Sequence, residues 1–268
     1  MTISNYDQLV AALPTAQLGL LSKTGPSTQL AGALSSLWLS AGFPAAGSAP
    51  GVWATCTDAT AGGWPFANPT APALSYLSNF NCAGSASHYL TLYDRLGHMG
   101  GLSGTVAGSA QAINGVIPAN RGAAVDGSDV EWFFEIYTAI GTTAANATVA
   151  YTDQNDVARN APAIVMGGAS PANQPSRLFR IIPNAGQPIK TVTNVTLSGS
   201  TGTAGNFGVT CARRILTAAM GQVNIGANLD FAGTGLPRIY DDACLWFAAL
   251  LSNATSGTFT GSWNLVQG

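Results

Sequence analysis

Apolar and polar residues alternate along much of the chain from about residue 88 onward, and this alternation predicts β-strands. The densest run of aromatic and β-branched residues lies at 131–139, and 147–152 is expected to return beside it as a hairpin partner. Glycine, asparagine, serine and threonine separate the runs, as they do in turns. The other predicted strands cover 89–93, 176–182, 191–197, 205–213, 245–251 and 258–266.

The first 42 residues have a different pattern, in which apolar residues recur at helical spacing. A first helix is predicted over 6–13, with Ser4 or Asn5 as its cap. Because short apolar helices must pack on something, we expect a helical N-terminal arm (1–42) that lies on the main domain or on another subunit. A second helix is predicted over 28–40, and its apolar face would carry Leu30, Ala33, Leu34, Leu37 and Trp38.

Prolines, glycines and aromatic residues alternate in the segment 43–87. A loop region this rich in aromatic residues is expected to pack on the main domain. Trp53, Trp64 and Phe66 either close the open end of that domain or form a surface-binding loop. With 88–268 as the main domain, the sequence predicts a mainly β fold, a β-sandwich or jelly-roll-like domain with a short helical N-terminal arm.

Charged residues are scarce: 10 Lys and Arg and 12 Asp and Glu stand among 268 residues, of which 47% are hydrophobic. Soluble domains ordinarily carry about a quarter charged residues. The net charge of −2 argues against nucleic acid as a partner, and the apolar stretches are far shorter than the ~20 residues of a membrane span. The surface is therefore made of neutral residues, or other chains cover much of it.

Cysteine and histidine form no clear metal-binding pattern. The four cysteines are widely spaced and include no C-x-x-C pair. A site made by Cys56 and Cys82 with His88 and His98 is one interpretation. Buried free thiols and isolated histidines are the other, which we favour, and we expect neither a metal nor another cofactor.

Candidate catalytic groups are equally sparse. Glu131 and Glu135, the only glutamates, face one side of a predicted strand, but their separation of roughly 13 Å is too wide for a glycosidase pair. Asp94, Arg95 and His98 lie in a glycine-containing run for which we favour a structural turn organised by an arginine network. The sequence predicts no catalytic residue, and a polysaccharide-degrading enzyme is the least favoured alternative.

Arginine outnumbers lysine, since Lys23 and Lys190 are the only lysines. Arginine is favoured at interfaces because its planar guanidinium binds carboxylates and carbonyls through several donors. Several arginines fall on or beside predicted strands, and the second predicted helix adds an apolar face. The candidate interface comprises Arg177, Arg180, Arg213, Arg214, Arg238, Leu34, Leu37 and Trp38.

Four stretches have distinctive sequences: YDRLGHMGGLSGT at 93–105, EWFFEIYTAIG at 131–141, VTLSGSTGTAGNFGVT at 195–210 and PRIYDDACLWF at 237–247. Together they resemble a group of proteins encoded among the structural genes of tailed bacteriophages. The resemblance covers most of 88–268. It implies a β-rich component of a virus particle, and it supplies no catalytic residue.

These features favour a non-enzymatic structural component of a bacteriophage particle, above all a capsid decoration or cement protein that stabilises the shell. The expected partners are the phage major capsid protein or other virion proteins and copies of the chain itself, with a trimer favoured by analogy. The N-terminus shows no basic segment followed by an apolar run, so we expect synthesis in the bacterial host cytoplasm and residence in the virion.

The main alternative is a tail, baseplate or host-recognition protein that binds a glycan through its aromatic loop. Contact with nucleic acid or a membrane is not expected in either case.

Overall fold

The computed structural model describes residues 3–122 and 125–268, and the fold is mainly β. The chain forms β-barrel-like and sandwich-like sheets with a short N-terminal helix, which confirms the predicted fold class. No helix in these ranges is long and apolar enough to cross a membrane.

The described part of the chain contains two short α-helices and eighteen strands. The helices are α1 (Tyr6–Ala12) and α2 (Phe231–Thr234). The strands of the first half are β1 (Gln17–Thr24), β2 (Leu34–Ser36), β3 (Gly42–Phe43), β4 (Ala54–Thr55), β5 (Ser75–Gly84), β6 (His88–Leu102), β7 (Ala110–Val116) and β8 (Glu131–Thr138). Those of the second half are β9 (Ala145–Asp153), β10 (Ala158–Asn160), β11 (Ile164–Met166), β12 (Arg177–Ile181), β13 (Ile189–Leu197), β14 (Asn206–Met220), β15 (Ala227–Leu229), β16 (Arg238–Ile239), β17 (Leu245–Leu251) and β18 (Thr258–Gln267).

Six strands close into a ring at the centre of the molecule. In the order β6, β14, β8, β12, β2, β17 each strand pairs antiparallel with the next, and β17 pairs with β6 to complete the circuit. The short β4 pairs with β6 at Gly97 and His98, beyond the residues that pair with β17. Closure removes the open sheet edges of these strands, which would otherwise present unpaired backbone groups.

Two further sheets lie against this barrel. The first has the order β10-β9-β13-β7 with β11 also on β9, and it shares a core with the barrel residues Trp132, Phe134 and Ile136. The second has the order β15-β5-β18-β1-β3 with β16 on β5, and it shares a core with the barrel residues Leu92 and Phe247. A third cluster of buried side chains includes residues that point into the barrel.

The predicted first helix is confirmed: α1 begins after Asn5, whose side chain accepts a hydrogen bond from the backbone N–H of Gln8 at 3.0 Å. The predicted helix over 28–40 is wrong. That segment contains β2, in which Ser35 and Ser36 pair with β12 and β17. Pairing in the barrel outweighs the helical spacing of the apolar residues, because without β2 the strands β12 and β17 would each have an open edge.

The segment 17–24 is a strand although it lies within the arm predicted to be helical. In β1, Gly19, Leu21 and Lys23 face the core while Leu18 and Leu20 are exposed, so hydropathy does not alternate in the usual sense. The division into arm, loop region and main domain stays a prediction. Strand β1, from the predicted arm, pairs with β18, from the predicted main domain.

Two other predictions need correction. The strand predicted at 147–152 exists as part of β9, but it pairs with β13, β10 and β11 and not with the strand at 131–138. Asp94, Arg95 and His98 do not form a turn, because they lie inside the fifteen-residue strand β6. A run that contains three glycines can therefore remain extended when the neighbouring strands β14 and β17 pair with it.

Several aromatic rings lie directly on glycine backbone. A Cβ atom added at Gly19 would be 1.9 Å from Cε2 of Trp263, and one added at Gly47 would be 2.2 Å from Cε2 of Trp38. Both rings are fully buried, so neither can move aside without disturbing the core. Part of the high glycine content therefore serves close packing of tryptophan.

We expect Gly19→Ala to lower the free energy of unfolding by about 1–3 kcal/mol, because the added methyl group overpacks the site of Trp263. Denaturant unfolding followed by tryptophan fluorescence measures the change. The matched control is Gly199→Ala, where an added Cβ meets nothing within 4 Å. Equal stability of the two variants would contradict this account of the packing.

Candidate functional site

The barrel interior holds a fully buried ion pair. Nη2 of Arg95 on β6 lies 2.5 Å from Oε2 of Glu135 on β8, and both side chains have 0% exposure. Thr210 on β14 donates its hydroxyl to the same carboxylate oxygen at 2.7 Å. Arg95 Nη2 also lies 2.8 Å from the Tyr137 hydroxyl. Three strands of the ring thus meet at one guanidinium.

Two tryptophans complete the surroundings of Arg95. The central guanidinium carbon lies 4.2 Å from the ring centre of Trp38 and 4.9 Å from that of Trp246. Both rings are buried, and cation–π attraction is strongest where water is excluded. The arginine is therefore held by a carboxylate and by two aromatic rings.

His98 belongs to the same cluster. Its Nδ1 lies 2.7 Å from Arg95 Nη2, so it accepts a hydrogen bond and the ring proton is assigned to Nε2. Burial, together with the neighbouring positive charge of Arg95, lowers the pKa of His98 to about 2. The imidazole is therefore neutral at physiological pH. Because every member of this cluster is buried, its chemistry is that of a structural network rather than of an exposed acid–base site.

A second buried ion pair lies beside the first. Arg121 donates to Oδ1 of Asp94, and it donates to the backbone carbonyl of Cys56 at 2.5 Å. The backbone N–H of Cys244 donates to the same Asp94 oxygen at 3.0 Å. This pair attaches the segments around residues 56, 121 and 244 to the middle of β6.

Charged side chains also gather at one mouth of the barrel. Oε1 of Glu131 lies 3.6 Å from Nη2 of Arg180 and 3.6 Å from Nη2 of Arg214, and Tyr93 donates its hydroxyl to Oε2 at 3.1 Å. Arg213 lies 3.7 Å from the buried Asp94. A cleft of about 400 Å³, the arginine cleft, is lined by Ser128, Asp129, Val130, Glu131, Arg180, Arg213 and Arg214.

The arginines continue beyond the cleft. The guanidinium carbons of Arg213 and Arg238 lie 4.5 Å and 4.2 Å from the ring centre of Tyr240. Arg177 is elsewhere, 5.3 Å from the ring centre of Phe179. Four of the five predicted interface arginines therefore form one connected group.

The apolar part of the predicted interface is wrong. Leu37 and Trp38 are 1% and 0% exposed and belong to the chain's own core, and Leu34 is partly buried against that core. They were expected on the outer face of a helix, whereas the segment is part of the barrel wall. Leu37 packs in the core under the six-stranded sheet, whereas Leu34 and Trp38 belong to the cluster inside the barrel.

The aromatic loop residues also lie on the core. Trp64 is 1% exposed and its ring centre is 4.4 Å from that of Trp263. Trp53 stacks on Trp132 at 5.6 Å, and Phe66 packs against the second core cluster. The interpretation that these rings close the main domain fits this placement better than a surface-binding loop does, at least for the fully buried Trp64.

The residues of the conceivable metal site are not brought together. Cys56 lies in the barrel cluster, whereas Cys82 lies in the core under the six-stranded sheet. All four cysteines are buried free thiols, and burial raises the pKa of Cys82 to about 12. Within residues 3–122 and 125–268 no group of three or more metal-binding side chains is found.

The outer face of the six-stranded sheet is a surface that the sequence pattern did not reveal. Leu18 and Leu20 on β1 are 66% and 54% exposed. The only charged residue in β1, β5, β15 and β18 is Lys23, and it is buried. The rest of this neutral face carries amide and hydroxyl groups from Ser22, Asn79, Asn81, Asn228, Thr260 and Ser262.

Lys23 itself lies under the neutral face. Its ammonium group donates to the backbone carbonyls of Ser40 at 2.9 Å and Ala45 at 3.3 Å. Burial lowers its pKa to about 8. No signal in the sequence marks this lysine as buried, because its neighbours on the core face of β1 are a glycine and a leucine.

Comparison with known proteins gives little guidance. No protein-family model matches the chain, and no curated protein matches it. Among solved structures, the T=1 particles derived from infectious bursal virus share 10% identity and a TM-score of 0.18, over 94% of this chain and 78% of theirs. The VP2 subviral particle of infectious bursal disease virus shares 11% identity and a TM-score of 0.20, over 94% and 80%.

These weak structural neighbours are viral capsid proteins. Their TM-scores are too low for the similarity to carry an argument about fold or function. The conclusions about function therefore depend on the residues of this chain.

We expect Arg95→Met to lower the free energy of unfolding by about 3–5 kcal/mol, because it leaves the carboxylate of Glu135 buried without its partner. The double variant Arg95→Met/Glu135→Leu removes both charges and should be more stable than the single variant. Lys190→Gln breaks an exposed pair with Asp156 and should cost less than about 1 kcal/mol. Denaturant unfolding measures all three, and a loss of similar size for Arg95→Met and Lys190→Gln would contradict the role of the buried pair.

A second prediction concerns pH. Between pH values of about 8 and 10.5 the unfolded chain keeps the Lys23 proton while the folded chain loses it. The unfolded state then binds more protons, so this residue makes the free energy of unfolding rise with pH. Wild type should gain stability relative to Lys23→Met as pH rises through this window. Measuring both proteins at each pH cancels the titration of the thiols and tyrosines, and a constant difference would contradict the shifted pKa.

Proposed function

We propose that this protein is a non-enzymatic structural component of a bacteriophage particle, and specifically a capsid decoration or cement protein that stabilises the shell through subunit contacts. Its proposed partners are the phage major capsid protein or other virion proteins and further copies of the chain, with a trimer as the proposed assembly.

The observation that carries this proposal is the placement of charge. Among the described residues six charged side chains are buried, in a chain that has few: Lys23, Asp94, Arg95, Arg121, Glu135 and Asp153. The surface is therefore even poorer in charge than the composition indicates, and the exposed residues of β1, β5, β15 and β18 include no charge. Isolated soluble proteins need surface charge to stay apart from one another, whereas a subunit with permanent neighbours does not.

The neutral face has the composition of a contact surface. Stable interfaces have apolar centres from which charged residues are depleted, with hydrogen-bonding groups alongside. Leu18 and Leu20 would supply apolar contact, and the amide row of Asn79, Asn81 and Asn228 would supply hydrogen bonds. We assign this face to the contact with the shell.

A non-enzymatic role is supported by the state of the carboxylates. Glu135 is fully buried in its ion pair, and Glu131 is 12% exposed and held between two arginines and a tyrosine. His98 is buried and neutral. Both glutamates and His98 are thus committed to structural contacts and not to acid–base chemistry.

The location of the protein in purified particles tests the proposal directly. Quantitative mass spectrometry should find it in hundreds of copies per virion if it covers the shell, and cryo-electron density should place it on the capsid surface. Absence from particles would overturn the proposal, and a small fixed number of copies would overturn the decoration role in favour of a vertex or tail position.

The contact face is tested by the double variant Leu18→Lys/Leu20→Lys. Both side chains are exposed in the isolated chain, so thermal unfolding should change little. Burying two added charges should lower the affinity for particles that lack the protein at least about tenfold, measured by co-sedimentation. Val165→Lys, at a 56% exposed position of the other outer sheet, is the control. Undiminished binding of the double variant would show that this face is not the contact.

A further inference from the structure

The arginine cleft concentrates positive charge on a protein that has little of it. Of the eight arginines, Arg180, Arg213, Arg214 and Arg238 form one connected row at the mouth of the barrel. The carboxylates that face the cleft are Asp129 and Glu131, while Asp94 beneath it is already paired with the buried Arg121. The row therefore has more cations than anions, in contrast to the net charge of −2 of the whole chain.

The guanidiniums of Arg180 and Arg214 are placed to bind a further anion. Their side chains are 62% and 60% exposed, and each lies 3.6 Å from the same single oxygen of Glu131. That separation is longer than a hydrogen bond, and one carboxylate does not neutralise two guanidiniums. Glu131 attracts both guanidiniums to the cleft, and their exposure leaves N–H donors accessible to a ligand with acceptor oxygens.

The base of the row is held more firmly than an ordinary surface. Arg213 is 11% exposed, lies 3.7 Å from Asp94, and its guanidinium lies against Tyr240. Tyr240 in turn packs directly on Gly122, where an added Cβ would be 1.9 Å from the ring. These contacts organise the row before any ligand arrives, which reduces the entropic cost of binding.

We propose that the arginine cleft binds a carboxylate-rich segment of a partner protein. Guanidiniums bind carboxylates through two parallel donors. The cleft, at about 400 Å³, is larger than one carboxylate requires, and the row continues past it to Arg238, so several carboxylates spaced along a chain fit better than one small anion. The rest of the chain has a negative net charge, which argues against a nucleic acid backbone as the ligand. This inference stands independently of the virion role proposed above.

The test uses hexaglutamate as the probe, hexaglutamine as its neutral counterpart and inorganic phosphate as the small anion. Calorimetry or fluorescence anisotropy with the full-length protein should show binding of hexaglutamate that weakens with added salt, and no binding of hexaglutamine. Arg180→Gln/Arg214→Gln should lower the affinity for hexaglutamate at least about tenfold. Lys190→Gln removes a cation on the five-stranded sheet and should leave it unchanged.

The other outcomes overturn the proposal. If hexaglutamate does not bind, or if its binding survives the double arginine variant, the cleft is not the site. If phosphate binds as tightly as hexaglutamate, the cleft is a small-anion site and not a peptide site. Circular dichroism and thermal unfolding check that the variant is folded, so that lost binding is not mistaken for lost folding. We expect the variant to fold because both side chains are exposed. Sedimentation of the free protein shows whether the carboxylate-rich segment belongs to a second copy of this chain. Self-association that Arg180→Gln/Arg214→Gln abolishes would overturn binding to a different partner.

Discussion

The barrel depends on the burial of one ion pair. Arg95 and Glu135 lie inside a closed ring of strands, and a buried charge without its partner is strongly unfavourable. The strands β6 and β8 must therefore stay in the relative positions that bring these two side chains together. A slip of one residue along β8 would turn Glu135 outward into an apolar core and Phe134 inward against the guanidinium.

Other elements are ordered around the same pair. Thr210 of β14 hydrogen-bonds to the carboxylate, and the rings of Trp38 and Trp246 lie against the cation. The two outer sheets pack on the barrel's outer surface through side chains that alternate with those in the network, such as Trp132 and Phe134. Because side chains alternate along each strand, the residues that face the barrel interior determine which residues face outward and contact the outer sheets.

The sequence predicted the local elements better than their assembly. The aromatic run at 131–139 and the apolar residues of 245–251 are strands, because local β-propensity and burial agree there. Val192, Val195 and Leu197 are all buried although their spacing breaks a two-residue period; a bulge between Val192 and Asn194 restores the facing. Such an irregularity leaves no reliable trace in hydropathy.

The failures share one cause, which is pairing between distant segments. Residues 28–40 have helical spacing, but β2 is used as the strand that closes the barrel, and closure depends on residues more than a hundred positions away. The arginines of the candidate site could be named from the sequence, whereas their gathering around Glu131 and Tyr240 could not. Predicting how the arginines gather requires the register between β6, β8, β12 and β14, which no single segment encodes.

The two longest strands, β6 and β14, have a mechanical consequence. Each has fifteen residues, about 50 Å of extended chain, and they pair along most of that length. One end of this ribbon contributes Leu92 and Met220 to the core under the six-stranded sheet, and the other contributes Leu102 and Phe207 to the core under the five-stranded sheet. A force applied to one outer sheet therefore acts in shear along the continuous hydrogen-bonded ladder of β6 and β14. The two outer sheets are thus connected mechanically without a hinge between them.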